Sequence, residues 1–279
     1  MNIVDTHAHV YHADESLYPM VEEPSRPPKE TGSIEHLKSE MNEAGVRRAV
    51  LVQTGSAYKW DNRLLADLCV ESRGWAVGVC SLDPSAAHTI EELERLSREC
   101  NIKGLRVAPI GETYPMFYHP GTTRIWEAAQ RLGIVICAHI RSSLLDQLSD
   151  LLARFPDVQV VLDHSGYPMA KDGEGSETVQ AVCGLSRFRN LSLKLSFTVF
   201  GSDMDYPFTD THAIARSLIE AFTPERCMWG SGFPCEHWLK KATYAEHLAV
   251  FTQELGLSES EKRGILEETP NRIWFGTGL

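Results

Sequence analysis

Short, almost continuously apolar segments recur eight times along the chain. They are IVDTHAH (3–9), RAVLVQT (48–54), WAVGVCSL (75–82), IKGLRVA (102–108), IVICAHI (134–140), VQVVLDH (158–164), LSLKLS (191–196) and CMWGSG (227–232). Strands of a parallel sheet are buried on both faces and have this composition, whereas strands with one solvated face alternate apolar and polar residues. The pattern therefore predicts eight buried parallel strands.

Amphipathic helical patterns lie between these segments. In IEHLKSEMNEA (34–44), the apolar residues fall on one stripe at helical spacing. Thr89 and Glu92 have the spacing of a capping box at the start of a further helix. Gly45 and Gly133 precede predicted strands at positions where a left-handed residue commonly ends a helix.

Alternation of strands and helices predicts parallel pairing with right-handed crossovers. Eight such units in 279 residues predict a single (β/α)8 TIM barrel that forms one domain over residues 1–279. A doubly wound open sheet is the alternative. That fold commonly has a glycine-rich phosphate loop after its first strand, and DTHAHVYH (5–12) contains no glycine.

The composition narrows the functional classes. A net charge of -11 disfavours binding to nucleic acid. No apolar run approaches the roughly 20 residues that cross a bilayer, so we expect no membrane partner, and no signal peptide is evident. The seven cysteines are scattered and include no CxxC pair, which predicts reduced thiols and a cytoplasmic location.

Four histidines end three of the predicted strands. His7 and His9 end the first, His139 ends the fifth, and His164 ends the sixth. The carboxyl ends of TIM-barrel strands form the active-site face, and buried imidazoles cost free energy unless they have partners. The pattern predicts a metal site or a proton-transfer site at this rim. Gln53 ends the second strand and should face the same rim.

The other histidines have weaker claims to function. Those on helical patterns are predicted to be surface groups: His36, His88, His212 and His247. His12 and His237 follow the first and last strands, so their loops could bring them to the mouth of the barrel.

Two cations also fall on the predicted strands. Arg106 and Lys194 in one cleft of an acidic protein indicate an anionic ligand, most simply a carboxylate. The alternative is a structural salt bridge to Asp83 or Asp163. Aromatic residues in the loops 10–33, 109–121 and 197–209, among them Tyr114, suit either a flat organic substrate or the interface of a homo-oligomer.

The ordered motifs resemble one enzyme superfamily. HAH at the first strand, KWDNRLLADL (59–68), GVCSLDP (78–84), GLRV (104–107), VLDHSGYP (161–168), MWGSGFP (228–234) and TPNRIWFG (269–276) are similar to the amidohydrolase superfamily. Within it, the chain resembles the amidohydrolase-2 group, which includes 2-pyrone-4,6-dicarboxylate and sugar-lactone lactonases and metal-dependent decarboxylases of aromatic acids. The resemblance covers nearly the whole chain.

This resemblance implies roles for individual residues. His7, His9 and His139 match the metal ligands, with zinc as the preferred divalent ion. His164 matches a residue that joins the metal or shuttles protons, and Arg106 matches a position that holds a substrate carboxylate. Lys194 is a candidate catalytic proton donor, Gln53 and Tyr167 are candidate substrate contacts, and Asp5 is predicted to orient an imidazole from behind.

One position departs from the family pattern. The family usually has Asp near the end of strand eight, in GSD[FW]P, whereas this chain has GSGFP with Gly232 at that place. The resemblance therefore implies a metal that is weakly bound or absent, and Glu236 is a candidate replacement base. Three functions follow: a hydrolase of a small organic acid or lactone with water activated by a His-bound metal, a metal-dependent decarboxylase of a small aromatic or unsaturated acid, or a barrel that only binds a small acid.

Overall fold

The computed structural model of the protein describes residues 1–108 and 116–276, so Tyr114 lies outside the described residues. Eight strands lie side by side in one sheet, in the order of the sequence. They are β1 (Ile3–Ala8), β2 (Val46–Val52), β3 (Ala76–Cys80), β4 (Ile102–Val107), β5 (Val135–Ala138), β6 (Val160–Leu162), β7 (Leu191–Lys194) and β8 (Cys227–Met228). All seven neighbouring pairs are parallel.

Backbone hydrogen bonds between the first strand and the segment after the last one close the sheet. The Thr6 amide donates to the Trp229 carbonyl (3.2 Å), the Gly232 amide to the His7 carbonyl (2.9 Å), and the His9 amide to the Phe233 carbonyl (2.8 Å). The predicted (β/α)8 TIM barrel is confirmed, and the open-sheet alternative is wrong.

Helices connect the strands and surround the barrel. They are α1 (Ile34–Ala44), α2 (Gly55–Tyr58), α3 (Arg63–Glu71), α4 (Thr89–Glu99), α5 (Pro120–Leu132), α6 (Leu145–Arg154), α7 (Glu177–Gly184), α8 (Phe197–Phe200), α9 (His212–Phe222), α10 (Cys235–Trp238), α11 (Tyr244–Ala249), α12 (Glu259–Arg263) and α13 (Thr269–Trp274). In the described part of the chain, no helix has the length and apolar character needed to cross a membrane.

The ends of two helices agree with the sequence, and the start of another does not. Gly45 and Gly133 end α1 and α5 in the left-handed conformation, at φ 73° and 65°. The predicted capping box of α4 is wrong, because the Thr89 hydroxyl donates to the carbonyl of Asp83 instead of capping the helix. His88 takes the N-cap position and makes no side-chain capping bond.

The interior of the barrel is packed with apolar side chains. Its buried side chains form one cluster: Val50, Val52, Val77, Val79, Val135, Cys137, Val161, Met228 and Trp274. A second, larger cluster packs the helices against the outside of the sheet. Layers of branched side chains fill TIM barrels in this way, which leaves the carboxyl ends of the strands for polar chemistry.

His247 is not a surface residue, so that prediction is wrong. Its ring is completely buried on α11, where Nδ1 lies 2.9 Å from the Ser231 carbonyl and Nε2 lies 3.3 Å from the Thr198 hydroxyl. These two bonds satisfy both ring nitrogens and connect the segments that follow β8 and β7. His247 therefore has a structural role behind the mouth of the barrel.

Candidate active site

A cavity of about 600 Å³ opens at the carboxyl ends of the strands. Its polar lining groups on and just after the strands are His7, His9, Arg106, His139, His164 and Tyr167. Those in the connections that follow β2 and β3 are Thr54, Ser56, Lys59 and Ser81. Apolar walls come from Trp60, Leu82, Pro84, Ile125, Phe200 and Trp238, among others. Among the described residues, no carboxylate lines the cavity.

Four imidazoles lie together at the floor of this cavity. The Nε2 atoms of His7 and His9 are 3.2 Å apart, and Nδ1 of His9 lies 2.9 Å from the Val52 carbonyl. The ring centre of His164 is 4.7 Å from that of His7 and 5.8 Å from that of His139. The structure thus brings together the four histidines selected from the sequence, and their catalytic roles stay predictions.

All four imidazoles are held in the neutral form. Burial is the largest cause, and it lowers the pKa of His9 and of His139 to about 3. Burial also lowers the pKa values of His7 and His164 well below the ordinary histidine value. The rings are therefore uncharged at neutral pH, and each can both donate and accept a hydrogen bond.

Lys194 lies beneath the imidazoles and is completely buried. Its Nζ is 3.0 Å from Oδ1 of Asp163, 3.2 Å from Nδ1 of His7 and 5.6 Å from the centre of the Trp274 indole. The ammonium faces Asp163 and His7, and Lys194 does not line the cavity. The structural alternative considered for this cation, a salt bridge to Asp163, is what the structure contains.

Asp163 joins both predicted cations. Its Oδ2 accepts a hydrogen bond from Nε of Arg106 at 2.9 Å, and its Oδ1 pairs with Lys194. Burial alone would raise the pKa of Asp163, but the charges of Lys194 and Arg106 outweigh burial and hold the pKa below its usual value. Arg106 differs from Lys194 because its side chain is 10% exposed and lines the cavity.

An unusual turn after β6 presents two rings to the cavity. Four consecutive residues, His164, Ser165, Gly166 and Tyr167, have φ between 51° and 74°, in the left-handed region. Non-glycine residues in this region cost roughly 1–2 kcal/mol each and rarely occur in series. The turn places the His164 and Tyr167 rings 4.9 Å apart at the cavity wall. Such strain clusters at functional sites, where the surrounding structure maintains it.

Each ring in this turn has one short polar contact. Nδ1 of His164 lies 2.8 Å from the buried Ser196 hydroxyl. The Tyr167 hydroxyl lies 2.6 Å from Nε2 of His139, and the Arg141 guanidinium stacks 5.0 Å from the centre of the phenol ring. Burial raises the pKa of Tyr167 to about 12, so the phenol keeps its proton at neutral pH.

Asp5 takes a different position from the predicted one. Its buried carboxylate accepts hydrogen bonds from the His7 amide (3.0 Å), from the amide and hydroxyl of Ser231 (2.9 and 2.6 Å), and from the Tyr244 hydroxyl (3.1 Å). Within residues 1–108 and 116–276 it makes no hydrogen bond to an imidazole ring, and the register of β1 against β2 shifts between Asp5 and Ala8. Asp5 instead ties β1 to the segment after β8.

Gln53 and Glu236 also lie away from the cavity. The Gln53 amide donates to the carbonyls of Lys59 (3.3 Å) and Asp61 (2.8 Å), so it shapes the loop after β2. The Glu236 carboxylate lies 3.5 Å from Nε2 of His36 on the outside of the barrel. Neither side chain lines the cavity.

His12 and His237 do not reach the cavity lining either. The backbone amide of His12 donates to the Tyr58 hydroxyl at 3.0 Å, and Nε2 of His237 lies 3.1 Å from the Ser25 hydroxyl. Both residues hold the loop that follows β1.

The residues present do not complete the zinc site that the sequence implied. Two imidazole nitrogens bound to one tetrahedral zinc lie about 3.3 Å apart, and the His7–His9 separation matches this spacing. His139, however, contacts Tyr167 instead of joining them. Gly232 provides no fourth ligand, and within residues 1–108 and 116–276 no group of three donor atoms within 4.8 Å of one another contains His7 and His9.

A separate group of three donors does occur on the described surface: His36, Glu40 and Glu236. The Gly32 amide donates to Nδ1 of His36 at 3.1 Å. In the neutral ring this places the proton on Nε2, the atom that faces the two carboxylates. The group is a polar cluster on the protein surface, in which Nε2 of His36 lies 3.6 Å from Glu40 and 3.5 Å from Glu236.

A sequence profile identifies the family. The profile of the amidohydrolase family, type 2, matches residues 4–276. The chain belongs to the amidohydrolase family. No curated protein matches it.

Solved structures of other proteins share the fold. A probable 2-pyrone-4,6-dicarboxylic acid hydrolase from Acinetobacter baumannii with bound citric acid is 20% identical, with a TM-score of 0.84 over 99% of this chain and 100% of the other. A zinc-bound amidohydrolase from Burkholderia multivorans is 20% identical, with a TM-score of 0.82 and 99% of each chain covered. The 5-carboxyvanillate decarboxylase from Sphingomonas paucimobilis is 18% identical, with a TM-score of 0.68 over 98% and 99%.

Sequence reasoning missed three contributors to this amidohydrolase site. Asp163 was considered only as a salt-bridge partner, although it follows β6 directly and precedes His164. Ser196, two residues beyond Lys194, gave no signal apart from its place near a strand end. Lys59 lines the cavity from a loop and has a strained backbone at φ 50°, which no sequence pattern indicates.

Proposed function

We propose that this amidohydrolase hydrolyses the lactone ring of a small carboxylic acid. One observation carries the proposal: Arg106 and four neutral imidazoles face a largely apolar cavity whose described lining contains no carboxylate. Such a cavity attracts an anionic organic ligand and presents neutral donors and acceptors to an ester group. Citric acid in the similar Acinetobacter structure supports a carboxylate ligand.

Arg106 is the proposed anchor of the substrate carboxylate. Asp163 engages its Nε, which leaves the terminal guanidinium nitrogens as further donors. A guanidinium held by a buried carboxylate loses little freedom when it binds a second anion, so the pair is preorganised for recognition. The aromatic and aliphatic walls then pack against the ring of the substrate.

His164 is the proposed donor to the lactone carbonyl. Its Nδ1 is engaged by Ser196, and within the described part of the chain this is the only hydrogen bond of that buried hydroxyl. If Ser196 donates to Nδ1, no polar group is left unsatisfied and the neutral ring has its proton on Nε2. An N–H donor aimed at the carbonyl oxygen stabilises the negative charge that develops there when water attacks.

His139 is the proposed acceptor of the proton from the attacking water. In the free protein burial keeps its pKa near 3, so the ring is neutral but only weakly basic. A bound carboxylate adds negative charge to the cavity and raises the imidazole pKa, which favours proton uptake once the substrate is present. Water adds to the acyl carbon, the acyl–oxygen bond breaks, and the ring oxygen leaves with the proton that His139 returns.

The proposed reaction has no metal-dependent step, because the residues present do not complete a zinc site. The similar Burkholderia multivorans amidohydrolase has bound zinc. In this chain, two imidazole nitrogens have the spacing of zinc ligands. The seven free cysteines support the proposed cytoplasmic location.

A panel of lactones with and without a carboxylate, together with the corresponding aromatic acids, tests the proposal. Protein freed of metal by a chelator is assayed alone and with added zinc. We expect ring opening of carboxylate-bearing lactones without zinc. Release of carbon dioxide from an aromatic acid, with no lactone turned over, would instead identify a decarboxylase.

A further inference from the structure

The two adjacent imidazoles at the cavity floor belong to a chain of hydrogen bonds that begins at a buried cation. Nζ of Lys194 is 3.2 Å from Nδ1 of His7, Nε2 of His7 is 3.2 Å from Nε2 of His9, and Nδ1 of His9 is 2.9 Å from the Val52 carbonyl. All three side chains are buried.

The two ends of this chain fix the direction of every bond in it. An ammonium has only donors, so Nδ1 of His7 must be an acceptor. A carbonyl has only acceptors, so Nδ1 of His9 must donate to Val52. In two neutral rings the one consistent arrangement puts the proton of His7 on Nε2, from which it donates to the unprotonated Nε2 of His9.

We propose that Lys194 excludes divalent metal ions from the His7–His9 pair by keeping the proton of His7 on the nitrogen that a metal would bind. A metal ligand needs a free lone pair, and the lone pair of His7 points at Lys194 instead of into the cavity. The pair has the spacing of two zinc ligands and the wrong arrangement of protons for coordination.

Local charge acts in the same direction. Lys194 and Arg106 contribute two positive charges near the rings, and Asp163 contributes one negative charge. Gly232 adds no carboxylate where the family pattern has one. A divalent ion would therefore approach a site of net positive charge in a region shielded from water, where repulsion is weakly screened.

Removal of the ammonium should reverse the arrangement. In Lys194→Met the flexible apolar side chain fills most of the same space, and Asp163 keeps its pairing with Arg106. Oδ1 of Asp163 is already 3.7 Å from Nδ1 of His7, so a small shift lets Nδ1 donate to it. A carboxylate that accepts from one ring nitrogen orients the other nitrogen towards a metal.

Zinc titration by calorimetry on chelator-treated full-length protein tests this inference. All proteins include His36→Gln, so that the surface cluster with Glu40 and Glu236 does not contribute. We expect Lys194→Met to bind zinc at least tenfold more tightly than its parent, with one ion per chain. Lys59→Met, which removes a cavity cation that does not contact His7, should bind zinc as weakly as the parent.

Three results would overturn the inference. The first is tight, chelator-resistant binding of zinc by the parent, and the second is an unchanged zinc affinity in Lys194→Met. The third is stoichiometric zinc in Gly232→Asp but not in Lys194→Met, because that result would assign the exclusion of metal to the missing carboxylate. If Lys194→Met does not fold, nitrogen NMR of the parent with labelled histidines tests the inference instead. The signals that disappear in His7→Gln are assigned to His7. A proton on Nε2 of His7 supports the inference, and a proton on Nδ1 overturns it. Neither readout depends on the proposed lactonase activity.

Discussion

The hydroxyl of Ser196 lies 2.8 Å from Nδ1 of His164, at the base of the strained turn that presents the imidazole to the cavity. When the hydroxyl donates in this contact, the neutral ring keeps its proton on Nε2 and His164 presents a donor to a substrate.

We expect Ser196→Ala to lower kcat several-fold with little change in KM, because loss of a neutral hydrogen bond costs about 0.5–1.5 kcal/mol. The matched control is Ser165→Ala, since Ser165 is equally buried in the same turn but donates to the Lys194 carbonyl. Steady-state kinetics of both variants on an active lactone check the prediction. Equal losses in the two variants would mean that only packing of the turn is affected.

Arg106→Met should weaken binding of an anionic substrate by about 1.5–3 kcal/mol, the range for a hydrogen bond to a charged group. Arg141→Met is the control, because Arg141 stacks on Tyr167 and does not line the cavity. The measurement is KM for a lactone with a carboxylate and for the same lactone without it. An equal KM for the carboxylate substrate in wild type and Arg106→Met would show that Arg106 does not bind the substrate carboxylate.

The placement of the histidines could be predicted from the sequence, because burial of parallel strands leaves a clear apolar signal and strand ends meet at one rim. The contacts that these side chains make below the rim could not be predicted from the sequence. The segment LSLKLS around Lys194 does not show whether its ammonium points up into the cavity or sideways to Asp163. The register shift in β1 between Asp5 and Ala8 depends on the pairing with β2, which no local pattern specifies.

At Gly232, too, the sequence alone gives only part of the structural information. The sequence identifies the missing carboxylate, but only the backbone shows φ 65° at this position. A Cβ atom there would be 3.6 Å from the nearest heavy atom, in Leu239, so space is available and conformation is the obstacle.

We therefore expect Gly232→Ala to reduce the free energy of unfolding by about 1–2 kcal/mol. Gly232→Asn should cost less, since Asn enters the left-handed region more readily than Ala. Denaturant unfolding measures both changes. Gly175→Ala is the control, because Gly175 has open space around it and no positive φ. If Ala and Asn are tolerated equally well, backbone conformation does not restrict this position.

Stability should fall as the pH decreases from 7 towards 4. Burial lowers the pKa of His9 and His139 to about 3 and that of His247 to about 4, whereas an unfolded chain binds these protons near pH 6.5. Between those pH values the unfolded state binds more protons than the folded state. Each ring therefore lowers the free energy of unfolding by up to about 1.4 kcal/mol for every unit by which the pH falls.

Thermal melts from pH 7 to pH 4 measure this dependence, and His247→Gln should make it shallower without altering the cavity floor. A melting temperature that stays constant down to pH 5 would show that the rings accept protons in the folded state.

Hydrolysis in water enriched in heavy oxygen is the most direct test of the central claim, that the cavity adds water to a lactone without a metal. Chelator-treated wild type is incubated with a carboxylate-bearing lactone that it turns over, and the product is analysed by mass spectrometry. The account predicts one heavy oxygen atom in the newly formed carboxylate, no release of carbon dioxide, and the same rate after zinc is added. Product without the label, or activity that appears only with zinc, would contradict it.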